Sequence, residues 1–308
     1  MSSNASQPRQ RVEIVEVGPR DGIQSQPTLL STEQKLTFVE RLISAGVRRI
    51  EVASFVNPKR VPQMADVDEL LARLPRPPGV RYLGLVLNER GYERALATQI
   101  HEVNCVVVAT DTFNQRNQRV TTQESLEAVG RIAQAAARDG VTCGVTIGAA
   151  FGCPFEGEVS PPRVVDLVKA LEDYGVAEVA LADTIGVAAP SDVSHMLDLL
   201  AQAGSPPPRC HFHNTRNTGL ANAYAALEAG VRALDASCGG VGGCPFAPAA
   251  TGNIGTEDVL YMIDRMGFDA RIDIEGIMDT TRWLGDILDA TMPAMVTRAG
   301  VFPAPPAA

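Results

Sequence analysis

Short β-branched runs alternate with longer helical patterns along this chain, and the alternation repeats eight times. The runs are Val12–Val17, Arg49–Ala53, Tyr82–Leu87, Glu102–Ala109, Thr142–Ala149, Glu178–Ala182, Arg209–His213 and Ala233–Ser237. Their length and apolar content predict buried strands. Between them, apolar residues at helical spacing predict helices over Thr32–Ala45, Pro62–Arg73, Gly91–Thr98, Gln123–Asp139, Pro161–Tyr174, Pro190–Ala203 and Gly219–Ala229. Start and stop signals agree: Ser31 or Thr32 opens the first helix, and Thr121 or Thr122 with Glu124 opens the fourth. Gly46, Gly140, Gly175 and Gly230 follow helix ends. Eight strand–helix units predict an α/β fold, a closed (β/α)8 TIM barrel. The alternative is a doubly wound open sheet. Its glycine fingerprint is missing after the first strand, where Gly18-Pro-Arg-Asp-Gly22 stands.

Two more helical patterns follow Gly267, including Ile274–Leu288, so the barrel is expected to carry extra C-terminal helices. No low-complexity linker divides the chain, and residues 12–298 read as one catalytic domain. Residues 1–11 and 299–308 read as disordered ends. The first eleven residues hold no apolar core, which argues against a secretory signal and for a cytoplasmic location.

Of 308 residues, 45% are hydrophobic, enough for a large core, and no apolar run is long enough for a membrane span. Net charge is −9 with only three lysines, which argues against a nucleic-acid partner but leaves room for a small phosphate-bearing ligand held by a few arginines. The six cysteines show no metal-site or redox spacing. Cys105, Cys143, Cys210 and Cys238 sit in apolar runs and read as small buried hydrophobes.

Side chains two apart on a strand share a face, so His211 and His213 point one way and Phe212 the other. Paired imidazoles suit a divalent metal. In a barrel the reactive groups gather at the carboxyl ends of the strands. That rule collects Glu16, Arg20 and Asp21 at the end of strand one, Glu51 on strand two, Asp183 at the end of strand six, both histidines on strand seven, and Asn253 beyond strand eight. His211, His213, Asp21 and Asn253 would leave open positions in a six-coordinate shell. Mg²⁺ or Mn²⁺ fits such mixed N/O ligation, with Zn²⁺ less favoured. Arg20 could stabilise an oxyanion, because a guanidinium stays charged and offers several donors. The stretch Gly239–Gly243 lacks the Lys-Ser/Thr of a P-loop. Cys244, directly after it, could be lowered onto a substrate as an acid or base.

Together these motifs resemble the 3-hydroxy-3-methylglutaryl-CoA (HMG-CoA) lyases, members of a metal-dependent barrel superfamily that also holds isopropylmalate and homocitrate synthases. The resemblance is carried by residues 15–24, 50–66, 150–157, 182–187, 211–215 and 239–262. Gly243-Cys244-Pro245 separates lyases from the Gly-Glu-Arg of the synthases, which keeps a Claisen-type synthase, or a non-catalytic paralogue, as the alternative.

The resemblance implies metal-assisted retro-aldol cleavage of a 3-hydroxyacyl-CoA to acetyl-CoA and an oxo acid. It further implies a metal on Asp21, His211, His213 and Asn253, with Arg20 on the thioester oxygen and Glu51 orienting both. Proton transfer would fall to Cys244, His211 or Asp183. Lys59, Arg60, Arg116 and Arg119 would meet the CoA phosphates. A homodimer or larger homo-oligomer and a place in leucine breakdown are expected by the same analogy. Three departures point to a different acyl group. Asn214-Thr-Arg216 replaces an Asp-Thr-Tyr string, Gly144 stands where an arginine is usual, and Pro27 replaces a lysine. Arg216, with Asn214, is therefore expected to read a substrate anion.

Overall fold

The computed structural model describes residues 9–243 and 252–303. Eight parallel strands pair in chain order: β1 (Glu13–Glu16), β2 (Arg49–Ser54), β3 (Arg81–Val86), β4 (Glu102–Val108), β5 (Thr142–Gly148), β6 (Glu178–Asp183), β7 (Arg209–Phe212) and β8 (Ala233–Ala236). β8 pairs back onto β1, with Val15 opposite Asp235, and closes the barrel. The outer ring comprises α1 (Thr32–Ser44), α2 (Val67–Arg73), α3 (Glu89–Leu96), α4 (Asp111–Gln118), α5 (Thr122–Asp139), α6 (Pro161–Asp173), α7 (Pro190–Gln202) and α8 (Gly219–Glu228). α9 (Thr256–Arg265), α10 (Ile274–Leu288) and α11 (Val296–Ala299) follow β8. No described helix is long and apolar enough to cross a membrane.

Local signals set the helix starts. Ser31 accepts from Gln34 N while the Gln34 side chain caps Ser31 N, and Thr121 makes the same reciprocal pair with Glu124. α3 starts two residues before the expected Gly91, because Asn88 accepts from Gly91 N at 2.9 Å. The expected helix over Pro62–Arg73 divides into a 3₁₀ turn, Pro62–Met64, and α2. Asp66, between them, spends its carboxylate on Lys35 and Thr32 instead of capping.

The barrel interior is not the apolar stack of many such folds. The large apolar core lies between strands and helices, while Val15, Val17 and Leu83 form a small separate cluster. Alternate strands β2, β4 and β6 contribute Arg49, Glu102 and Glu178 to one charged layer. Arg49 donates to Glu102 at 2.7 Å and to Glu178 at 2.8 Å. Arg209 on β7 joins it, 2.9 Å from Glu178 and 2.6 Å from Asp235. Breaking one partner of such buried pairs strands a charge and costs about 3–5 kcal/mol. At Gly144, where an arginine was expected, a Cβ would lie 3.5 Å from Asn104 Oδ1 and 3.6 Å from the Glu178 carbonyl. Interior guanidinium groups come instead from β2 and β7.

The cysteines Cys105, Cys143, Cys153, Cys210 and Cys238 are buried and free. Near the amino end, Asp269 N donates to Gln10 O at 3.0 Å and Arg9 pairs with Asp264, so residues 9–11 pack on the segment around α9.

Candidate active site

After β1 the chain coils through Gly18–Gly22 in a wide turn closed by Gly22 N to Val17 O at 3.1 Å. This π-type turn swings Arg20 and Asp21 over the barrel mouth. Glu16 anchors it: the buried carboxylate accepts from Gly18 N (2.8 Å), Cys238 N (2.9 Å) and Thr256 Oγ1 (2.6 Å). One side chain thus ties the Arg-Asp turn, the glycine loop and the segment after Asn253. Burial raises its pKa to about 7, against three opposing hydrogen bonds.

One ligand atom from each of Asp21, His211 and His213 lies within 4.8 Å of the others. The two Nε2 atoms are 3.1 Å apart. Asn253 pairs with His213 through a backbone bridge, and its Nδ2 donates to Asp21 Oδ2 at 2.9 Å. Gly242 makes room for it, since a Cβ there would lie 2.5 Å from Asn253 Nδ2. Burial disfavours the Asp21 carboxylate, but Arg20 and the two imidazoles outweigh it and hold the pKa near 2. His213 is pushed down to about 4 by burial and then by His211, so it is a neutral ring at ordinary pH.

Asp235 is the residue that sequence reasoning missed. Its Oδ2 lies 3.1 Å from His211 Nδ1, which puts a proton on Nδ1 and turns Nε2 toward His213; against burial, Asp235 and Asp21 hold the ring's pKa above the ordinary imidazole value. The two Nε2 atoms face each other across 3.1 Å, and Asn253 Oδ1 is buried with no partner. The paired imidazoles, that orphaned oxygen and an ionised Asp21 fit a shared divalent cation.

Arg20 donates from Nε and Nη2 to Glu51 Oε2, at 2.8 and 2.5 Å, and from Nη1 to Asp21 Oδ1 at 2.8 Å. A guanidinium has five N–H donors, so two remain for a ligand. Glu51 is buried behind it and orients it.

A cleft of about 1440 Å³ opens over these groups, lined by Arg20, Asp21, His211, His213 and Asp235 at its base. Its walls carry the expected Arg60, Arg116 and Arg119, and also Arg90, Arg94 and Arg131, which were not foreseen. Arg116 lies over the Phe155 ring, 4.1 Å from its centre. Lys59 is exposed and is not part of the lining.

Other expected residues are placed elsewhere. Asp183 does not line the cleft, and its two oxygens accept from Val187 N (2.9 Å) and Ala188 N (3.1 Å). Strand alternation explains this, because Ala182 and Thr184 take the inward positions. Arg216 is exposed, also outside the lining, and donates to the carbonyls of Ile185 (2.9 Å) and Gly186 (2.8 Å). Asn214 Oδ1 accepts from Gly219 N at 3.1 Å, at the start of α8. Gly243 lines the cleft, and Cys244, next in the chain, lies outside the described residues.

A closed parallel barrel with His211, His213 and Asp21 grouped at its mouth so that they could hold a cation, beneath an arginine-walled cleft, has the form of a barrel enzyme. Residues 11–284 match the HMGL-like family model, and the chain belongs to that family. It is 44% identical over 304 residues to the (R)-citramalyl-CoA lyase of Chloroflexus aurantiacus, covering 95% of this chain and 96% of the relative. The solved HMG-CoA lyase of Bacillus subtilis is 36% identical with a TM-score of 0.91, over 95% of this chain and 99% of that one. An HMG-CoA lyase from Acinetobacter baumannii, solved with coenzyme A and 3-methylmalate, is 36% identical with a TM-score of 0.91, over 97% and 98%. The chain is an oxo-acid lyase.

Proposed function

We propose that this lyase cleaves a 3-hydroxyacyl-CoA whose acyl group bears a free carboxylate, releasing acetyl-CoA and an oxo acid. The observation that carries the reading is the Asp21, His211, His213 and Asn253 cluster with Arg20 beside it on the cleft floor. Citramalyl-CoA ranks ahead of HMG-CoA as substrate, because the citramalyl-CoA lyase is the more similar relative, at 44% against 36% for the two HMG-CoA lyases named beside it.

Asp21, His211, His213 and Asn253 would hold Mg²⁺ or Mn²⁺, with Zn²⁺ a weaker choice. A divalent ion there supplies Lewis-acid polarisation of substrate oxygens. In the reaction the 3-hydroxyl loses its proton and its carbon becomes a carbonyl. The C2–C3 bond breaks, its electron pair passes into the acetyl-CoA enolate, and a proton is returned to C2. Arg20 offers two N–H donors to the enolate oxygen, held in place by Glu51 and Asp21. Asp235 holds His211 Nδ1 and so aims its Nε2 at the cation site, which leaves no ring nitrogen free while an ion is held there; the hydroxyl proton would then pass to water in the open cleft. Cys244 is assigned the return of the proton to C2, since the loop leading to it borders the cleft at Gly243. The wall arginines would take the phosphates of CoA.

The test is acetyl-CoA release from citramalyl-CoA and HMG-CoA by metal-stripped protein with Mg²⁺ or Mn²⁺ restored, beside Arg20→Met. Metal-dependent release abolished in the variant supports the reading. Metal-replete protein that cleaves neither thioester sinks it.

A further inference from the structure

The cleft floor on the β2–β5 side carries polar groups that the chemistry above does not use. Asn104 on β4 and Thr146 on β5 line the cleft, as does Ser54 at the end of β2. Asn104 is 4% exposed. Its Oδ1 accepts from Arg209 Nη2 at 3.2 Å, and its Nδ2 donates to Thr146 Oγ1 at 3.0 Å. A guanidinium only donates, so Arg209 compels the amide oxygen to face it and the amide nitrogen to face Thr146. One Asn104 N–H is then left over. The Thr146 hydroxyl already accepts, so its own proton is free. Ser54 Oγ is fully buried and has no hydrogen-bond partner.

The floor thus offers three free donors, one each from Asn104, Thr146 and Ser54, and a cluster of donors suits an oxygen-rich anion. Arg209 also holds Asp235, which holds His211, so the floor amide and the cation site share one rigid frame. We propose that Asn104 and Thr146, with Ser54 beside them, bind the free carboxylate of the acyl group and thereby set which acyl chains fit. Arg209 acts as a positioning residue that fixes the direction of the Asn104 amide. The choice of thioester probes rests on the lyase reading, but binding does not depend on turnover.

The test uses calorimetric binding to metal-loaded protein in an Arg20→Met background, which prevents cleavage during titration. Citramalyl-CoA is compared with 3-hydroxybutyryl-CoA, which lacks only the carboxylate. Asn104→Asp keeps the contact to Arg209 and replaces the donor with an acceptor. It is expected to weaken citramalyl-CoA binding at least tenfold and to leave 3-hydroxybutyryl-CoA within twofold. Thr146→Val, which leaves Arg209 untouched, is expected to weaken citramalyl-CoA alone by at least threefold. Parallel losses for both thioesters, or equal affinity for both with the floor unaltered, overturn the subsite. If the native protein cleaves neither thioester yet the binding contrast holds, the lyase substrate reading falls and the subsite stands.

Discussion

Asp235 Oδ2 accepts a hydrogen bond from His211 Nδ1 at 3.1 Å, while its other oxygen is held by Arg209 at 2.6 Å. The imidazole at the candidate cation site is thereby fixed in tautomer and direction by a carboxylate that is itself pinned. Asp235→Asn keeps the shape and loses the charge. Metal affinity is expected to fall about 10- to 100-fold, measured by titrating metal-stripped protein with Mn²⁺. Unchanged affinity would show that His211 needs no such partner.

Glu16 makes stability depend on pH. Its pKa is raised from 4.5 to about 7 in the folded state by burial. Below pH 4.5 both folded and unfolded chains hold the proton. Between the two values only the folded chain holds it, so stability falls as pH rises through that window, by on the order of 3 kcal/mol. Glu16→Gln cannot titrate. The melting temperature of the variant minus that of the native protein is therefore expected to be higher at pH 7.5 than at pH 5. A difference independent of pH would mean that Glu16 is ionised in both states.

The wall arginines should act on binding rather than on chemistry. Arg60→Ala, Arg119→Ala and Arg131→Ala are each expected to raise KM for the acyl-CoA about 3- to 10-fold, with kcat within twofold. The effect should shrink as salt rises, because partly exposed charges are screened. Steady-state kinetics at two ionic strengths checks this. A loss confined to kcat would move these residues out of the phosphate-binding role.

Arg216 has a different expected behaviour. Its contacts are the Ile185 and Gly186 carbonyls, which brace the loop after β6, and it does not line the cleft. Arg216→Ala is expected to lower the melting temperature by a few degrees and to leave KM within threefold. A tenfold rise in KM with metal binding intact would restore the substrate-anion role suggested by its place beside His213.

Periodicity and chain order made much of this protein legible in sequence. The eight strand runs, the helix caps at Ser31 and Thr121, and the same-face pairing of His211 and His213 follow from local geometry, which depends on residues a few positions apart. Barrel closure then brings β7, β8 and β1 together, so the convergence of Asp21, His211, His213 and Asn253 could be anticipated once the fold class was clear. The orientation of Glu51 toward Arg20 was likewise expected. Asp183 and Arg216 were legible only as polar residues near strand ends. Which way each side chain turns is decided by strand parity and by the backbone groups nearest to it. Asp235 had a faint signal, since its place on β8 is level with His211 on β7. The charged interior had none, because Arg49, Glu102, Glu178 and Arg209 stand 31 to 160 residues apart and meet only inside the closed barrel. The donor face of Asn104 is equally invisible in the chain. An amide has no preferred direction of its own, and only a guanidinium arriving from another strand assigns one.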